Sequence, residues 1–115
     1  MTTYTKVILS GSTNGRPVPV VATTTPGTII HTVAAGFCDE FWLYVANTAS
    51  GVVKLTIELG GTTAPGDLIE DTIPFEGGLV LVIPGLPLDG GVVIRAFADT
   101  ASVLNIVGWA NRIST

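Results

Sequence analysis

The 115-residue sequence has little charge, one cysteine and one histidine. Charged residues make up 12% of it, roughly half of the ~25% found in an average soluble domain. Because Cys38 has no partner for an internal disulfide, stability must come from packing, which fits a reducing compartment or indifference to redox. The net charge is −4, and the few basic residues are scattered, so the basic patch that nucleic-acid binding requires is missing. These basic residues are Lys6, Arg16, Lys54, Arg95 and Arg112.

Long apolar runs are also missing. The longest run, residues 77–88, is interrupted by Pro84, Gly85 and Pro87, whereas a membrane-spanning helix needs about 20 apolar residues in succession. Residues 1–6 are polar and lack the apolar segment of a signal peptide. Hydrophobic residues nevertheless make up 47% of the chain. We therefore expect apolar surface that contacts other protein, in an oligomer or a larger assembly.

Residues 52–59 show the clearest local pattern in the sequence. Val53, Leu55 and Ile57 alternate with polar residues, which is the period of a strand with one apolar face. Gly51 precedes the segment and Gly60 follows it, so both of its ends carry turn signals. We take this segment as the reference strand of an antiparallel β-sandwich.

Similar segments on both sides complete the predicted fold. Residues 39–47 are apolar on both faces, which predicts that the strand is covered on both sides. Pro17 and Pro19 remove ladder donors, which predicts a sheet edge for their strand. No segment has a helical period. The pattern predicts one all-β domain over residues 1–115, an antiparallel sandwich or jelly roll of eight to nine short strands, with residues 1–5 as a possible extended arm. The other predicted strands are 3–9, 16–22, 28–34, 68–73, 79–83, 92–98 and 102–111.

His31 and Cys38 are the first candidates for chemistry. His31 lies in an apolar strand with no evident nucleophile or acid beside it, so we interpret it as a packed or partly exposed strand residue rather than a general base. Cys38 is followed by Asp39 and Glu40, and acidic neighbours disfavour the reactive thiolate. The sequence therefore indicates no catalytic residue, and we expect no enzyme activity and no cofactor.

Binding sites are equally weakly marked. Asp67, Glu70 and Asp71 lack the spacing of a calcium loop, so we interpret them as solvated strand ends, with a weak metal site at a subunit contact as the alternative. Trp42 and Tyr44 share a strand face and, with Trp109, could stack on sugars, but a place in the core or at a subunit interface is the preferred interpretation.

Three segments resemble small structural proteins of tailed bacteriophages. They are residues 55–69 (LTIELGGTTAPGDLI), 78–86 (GLVLVIPGL) and 93–98 (VIRAFA), and the resemblance extends over about residues 4–113. It is a resemblance of overall pattern without a diagnostic motif. It implies a β-sandwich or jelly-roll subunit, often trimeric, that decorates an icosahedral capsid, and it brings no catalytic residues.

The resemblance and the composition together lead to one expectation. We expect a capsid decoration, or cement, protein that is made in the host cytoplasm, binds the major capsid protein on the head surface and forms a homo-oligomer, with a trimer favoured. We expect no contact with nucleic acid or membrane. Another small virion component of the tail, fibre or head–tail region, and a carbohydrate-binding adhesion module, are the alternatives. The residues expected to contact the partner are Thr2, Thr3, Tyr4, Thr62, Thr63, Ala64 and Pro65.

Overall fold

The computed structural model describes residues 2–114, which form two antiparallel sheets and no helix. The strands are β1 (Thr3–Ile8), β2 (Val18–Pro19), β3 (Thr28–Thr32), β4 (Cys38–Asn47), β5 (Val53–Leu59), β6 (Leu68–Ile73), β7 (Val80–Asp89), β8 (Val93–Ala98) and β9 (Leu104–Ser114). One sheet has five strands in the order β1-β9-β4-β7, with β2 also pairing with β9, and the other has the order β3-β8-β5-β6. The prediction of an all-β antiparallel sandwich is confirmed.

The core lies between the two sheets and is built from alternate residues of each strand. Along β4 every second residue is buried, including Phe41 and Leu43, and β5 contributes Leu55 and Ile57. A period of two places these side chains on one face of each strand, as the sequence predicts. The other large buried aliphatic residues are Leu9, Ile30, Ile73, Ile83, Ile94, Leu104 and Ile106.

Strand β7 is longer than its sequence predicts. The prediction ended this strand at residue 83, but the structure continues it through Pro84 and Pro87 to Asp89. Within the described residues β7 pairs only with β4. The proline nitrogens, which have no hydrogen to donate, can therefore face the side of β7 that has no neighbouring strand. Two register shifts in the β4–β7 pairing also accommodate the irregular backbone. Conversely, the segment predicted at 16–22 keeps only Val18–Pro19 as a strand, pairing with β9.

Two further predictions differ from the structure. Residues 3–5 of the expected arm belong to β1 and pair with β9, from Thr3 opposite Ser114 onward, and Met1 lies outside the described residues. The prediction that β4 is covered on both sides is wrong, because the sandwich supplies a second sheet on its inner side only. Trp42 and Tyr44 on its outer side are half-buried by their neighbours within the same sheet.

Residues 2–114 include no helix long and apolar enough to cross a membrane.

Candidate functional site

Three polar side chains close one end of the core and connect the two sheets. His31 comes from β3, whereas Asp39 and Arg112 come from β4 and β9 of the other sheet, where they are direct strand neighbours. Arg112 donates from Nε and Nη2 to the two oxygens of the Asp39 carboxylate, at 2.8 Å each. Nε2 of His31 lies 2.7 Å from Oδ2 of Asp39. The Asp39 carboxylate is therefore shared between a cation and a ring nitrogen from opposite sheets.

The hydrogen bonds of His31 define its tautomer and its role. The backbone N–H of Ser10 donates to Nδ1 at 2.9 Å, so Nε2 carries the hydrogen that is donated to Asp39. The exposed fraction is 1% for His31 and 0% for Asp39. Since both ring nitrogens are occupied and buried, the ring has no free nitrogen to offer a substrate. His31 is therefore a packed strand residue, as one of the two interpretations had it, but the expectation that no acid lies beside it is wrong, because the fold brings Asp39 to its Nε2.

The charges of this cluster stabilise each other. The hydrogen bonds from Arg112 hold the pKa of the Asp39 carboxyl below its ordinary value; the hydrogen bond from His31 acts in the same direction and burial opposes both. The hydrogen bonds to Asp39 raise the pKa of Arg112 in turn. The Arg112 guanidinium also lies 5.3 Å from the ring centroid of Phe37. The pair is thus a bidentate ion pair, the geometry in which arginine binds carboxylate most strongly.

The sequence did not predict this cluster, although one signal for it is present. Asp39 lies on the same face of β4 as Phe41 and Leu43, and an apolar residue is expected at such a position. A carboxylate at such a position requires a buried partner. The partner itself, Arg112, is 73 residues away and is brought close only by the β4–β9 register.

Cys38 lies on the outer side of β4, next to the cluster but facing away from it. Burial raises the pKa of its thiol most, followed by the hydrogen bond and charge of Asp89, with Asp39 and Glu40 adding to the shift. A protonated thiol is a poor nucleophile. The prediction that acidic neighbours disfavour the thiolate is confirmed. The contribution of Asp89 to the raised pKa of Cys38 could not be predicted from the sequence, because it depends on the pairing of β4 with β7.

The polar side of β5 is covered at Thr56 and Glu58, whereas Lys54 on the same side is exposed. Glu58 has no exposed area and Thr56 is 2% exposed. The carboxylate of Glu58 accepts hydrogen bonds from the hydroxyl of Thr25 and from the backbone N–H of Gly27. The segment of residues 23–27 therefore crosses this side of the sheet, held by Glu58. Alternation within β5 could not reveal this, because the covering segment lies far away in the sequence.

Replacing Glu58 with alanine is expected to lower the free energy of unfolding by about 1.5 to 3 kcal/mol, because hydrogen bonds to a charged acceptor contribute about that much. Urea unfolding measures the loss, and faster amide exchange at Gly27 locates it. Glu70→Ala is the control, since Glu70 forms an ion pair with Lys54 in which both side chains are about half exposed, and is expected to cost under ~1 kcal/mol. Equal losses in the two variants would contradict the anchoring role of Glu58.

The outer side of the five-stranded sheet carries a row of aromatic rings. Trp42 and Trp109 are direct strand neighbours, with ring centroids 5.1 Å apart and planes 12° apart. Tyr44 also stacks on Trp109, at 6.2 Å. On one flank Nζ of Lys6 lies 5.4 Å from the Trp109 ring centroid. On the other flank Gly85 lies against Trp42, so closely that a Cβ there would be 3.0 Å from the ring.

This row bears on the sugar-binding alternative. Sugars stack on a free ring face, but Trp42 lies between Gly85 and Trp109, and Trp109 lies between Trp42 and Lys6. Because both faces of each ring are occupied, these partly buried rings present mainly their edges to solvent, which disfavours stacking of a sugar. Because neither tryptophan lies between the sheets, the core interpretation is wrong for both. The interface interpretation stays a prediction.

The residues predicted to contact a partner lie at the same end of the sandwich. Thr2, Thr3 and Tyr4 are exposed at the start of β1, and residues 62–65 are exposed at the tip of the β5–β6 loop. The strand pairings place the first segment at this end, because Tyr4 lies opposite Ile113, Ile113 opposite Cys38, and Cys38 opposite Asp89 at the end of β7. The second segment reaches the same end, because Gly90, the residue after Asp89, lines a surface recess together with Gly60 and Thr62.

The β5–β6 loop is closed by Asp67. Its carboxylate accepts a hydrogen bond from the N–H of Thr63, and its own N–H donates to the carbonyl of Thr63, both at 3.0 Å. Asp67 therefore holds the loop tip, while Glu70 pairs with Lys54 and Asp71 is exposed. Within residues 2–114 no three acidic, histidine or cysteine side chains converge as metal ligands would.

Every buried side-chain nitrogen and oxygen in the described part of the chain has a hydrogen-bond partner. The buried polar groups therefore have their hydrogen bonds satisfied, as in most stable domains.

No protein-family model and no curated protein matches this chain.

Proposed function

We propose that the protein is a non-enzymatic virion structural protein of a tailed bacteriophage, which binds the outer surface of the icosahedral head and stabilises it. The observation that carries the proposal is the position of the two exposed segments, residues 2–4 and 62–65, at one end of a rigid sandwich. A closed and well-packed domain with such an end can attach to another protein without rearranging. The resemblance to phage structural proteins adds to this geometry.

The strand order supports the jelly-roll form of the prediction. The order β1-β9-β4-β7 facing β3-β8-β5-β6, with β2 as an addition, is that of eight strands wound through two four-stranded sheets. Jelly rolls occur in viral capsid and lectin domains. A fold does not define a function, so the strand order is support for the proposal and the exposed end is its basis.

Attachment would depend on many weak contacts acting together. Each copy would contact the major capsid protein through the exposed end, and a homo-oligomer would engage several capsid subunits at once. Linked contacts raise the overall affinity by factors of about 10² to 10⁴ over a single contact. The protein would accordingly reside on the capsid surface after its synthesis in the host cytoplasm.

A binding assay on heads that lack the protein tests the proposal. The paired substitution Thr62→Glu and Ala64→Glu places two charged side chains at the loop tip and is expected to reduce the bound copies at least ~10-fold, a loss of about 1.4 kcal/mol or more. The control places the same charges at Ser50 and Thr100, which are exposed in turns at the opposite end of the sandwich. Bound copies are counted by quantitative mass spectrometry.

The outcomes separate the proposal from its alternatives. Equal binding of the loop variant and the control would contradict attachment through this end. No binding of the unmodified protein to any head would contradict capsid decoration. About a dozen copies or fewer per virion would instead favour a tail, fibre or head–tail component, whereas decoration predicts hundreds.

A further inference from the structure

We infer that the outer face of the five-stranded sheet is the contact surface between two copies of this chain. This outer face is formed by Tyr4, Lys6 and Ile8 of β1, Val107, Trp109, Asn111 and Ile113 of β9, Glu40, Trp42 and Tyr44 of β4, and Leu81 of β7, with Asp89 at its rim. The inference goes beyond the proposed function, because the loop of residues 62–65 used in the binding test lies on the other sheet and outside this face. Tyr4 is the one residue that the two surfaces share, and it lies at the end of the outer face.

The outer face exposes more apolar surface than a sheet face that is covered only by water usually does. Tyr4 is 65% exposed, Ile8 55% and Leu81 46%. Trp42 and Trp109, the two tryptophans of the chain, lie between them and are partly buried. Sheets that face water usually alternate apolar inward and polar outward residues. A contiguous apolar face of this kind marks a protein contact.

The size of the outer face fits a pair of copies. Strands β1, β9, β4 and β7 have 6, 11, 10 and 10 residues. At about 3.3 Å per residue and about 4.8 Å between strands, they cover roughly 600 Å² in plan. The accessible area is larger than the plan area because the side chains project from the sheet. A standard stable interface buries about 800 Å² on each partner. The outer face of one copy is therefore large enough to bind a second copy, provided that the two faces match.

The charges of the outer face are arranged so that two copies match. Lys6 lies on β1 at one side, and Glu40 on β4 and Asp89 on β7 lie towards the other. None of these three forms a salt bridge among the described residues. A two-fold axis that lies between the faces, parallel to the strands, brings the β1 side of each copy over the β4–β7 side of the other. The basic side of each copy then meets the acidic side of its partner, as an isologous contact requires.

The aromatic row lowers the cost of association. Trp42 and Trp109 are already stacked on each other and held between Gly85 and Lys6. Side chains that are ordered before binding lose less conformational entropy when they bind. The trimer favoured by the resemblance is not what this surface predicts, since a face that binds itself closes as a pair.

Light scattering on the isolated protein tests the inference. The unmodified protein is expected to have twice the mass of one chain. Ile8→Glu and Leu81→Glu place a charge on the outer face and are each expected to shift the pair to monomers. Val52→Glu is the matched control, because Val52 is 63% exposed but lies in the β4–β5 connection, and it should remain paired.

Tryptophan fluorescence gives a second reading of the same contact. Because both tryptophans lie on the outer face, dilution of the unmodified protein should shift their emission to longer wavelength as the rings enter water, and Leu81→Glu should show the shifted emission at all concentrations. A monomeric or trimeric unmodified protein would overturn the inference, as would pairing that survives both Ile8→Glu and Leu81→Glu or is lost in Val52→Glu. An unmodified protein that is monomeric in solution and still binds heads would overturn this inference and leave the proposed function standing.

Discussion

Replacing Asp39 with asparagine is expected to lower the free energy of unfolding by about 3 kcal/mol, the lower end of the 3 to 5 kcal/mol lost when one member of a buried ion pair is removed. The carboxylate has no exposed area and accepts two hydrogen bonds from Arg112 and one from His31. An asparagine amide supplies only one acceptor oxygen. Its NH₂ group would face N–H donors of Arg112 or His31, so at least one of these hydrogen bonds would be lost. The loss stays at the lower end because the Arg112 side chain is 24% exposed and can turn towards water.

The effect of Asp39→Asn is expected to depend on pH in a defined direction. In the folded protein the pKa of Asp39 is lowered from its ordinary value of 3.8. A carboxyl with a lowered folded-state pKa contributes stability that is fully present above its unfolded-state pKa and is lost as the pH falls through the folded-state pKa. The unmodified protein should therefore lose stability below about pH 4 more steeply than Asp39→Asn, and the difference between them should narrow.

Urea unfolding at pH 7 and at a series of pH values down to 2 measures both effects. Glu70→Gln is the control, because the exposed Lys54–Glu70 pair should contribute under ~1 kcal/mol at any of these pH values. A loss in Asp39→Asn no larger than that of Glu70→Gln would show that the cluster does not hold the sheets together. A difference that widens on acidification would show that the pKa of Asp39 is shifted the other way.

Replacing Gly108 with alanine is expected to cost more than about 3 kcal/mol or to prevent folding. A Cβ at this position would overlap the carbonyl oxygen of Trp42 and lie 3.0 Å from the carbonyl carbon. Overpacking usually costs about 1 to 3 kcal/mol because side chains yield, but here the obstacle is the backbone of β4. Gly108 pairs with Leu43 in the middle of the β4–β9 ladder, so neither strand can move without breaking it.

Gly66→Ala is the matched control for this substitution. Gly66 lies in the exposed β5–β6 loop, and a Cβ there would meet nothing within 4 Å. Its effect is expected to stay within about 0.5 kcal/mol, as for most surface substitutions. Soluble yield and the urea midpoint compare the two variants. If Gly108→Ala unfolds at the midpoint of Gly66→Ala, the tight approach of β9 to β4 is not a requirement of the fold.

The strand positions could be predicted closely where the signals are local. Residues 68–73 were predicted with the bounds that the structure has, because a breaker-rich loop precedes them and Pro74 follows. The prediction for β7 ended too early because Pro84 and Pro87 were read as turn residues. Whether prolines end a strand depends on whether the strand has one neighbour or two, and the neighbours of β7 are set by the sheet order.

The candidate surfaces were predictable only in part. The exposure of residues 62–65 follows from glycine and proline in the loop, so it could be predicted. The burial of Glu58 could not, because the covering segment 23–27 is placed by the whole fold. The aromatic residues Trp42 and Tyr44 were correctly placed on one strand face, but alternation does not tell which face receives the second sheet.

By itself, the sequence determined the all-β class, the approximate strand positions and the inner face of strands such as β5, in which one face is apolar and the other polar. These depend on alternation and turn residues, which act over a few neighbouring residues. The tertiary structure alone decided that Asp39 meets Arg112 and His31, and that Trp42 stacks on Trp109. Arg112 is 73 residues from Asp39, and Trp109 is almost as distant from Trp42 along the chain. A register shift of one residue between β4 and β9 would turn Arg112 and Trp109 to the sheet face opposite that of Asp39 and Trp42.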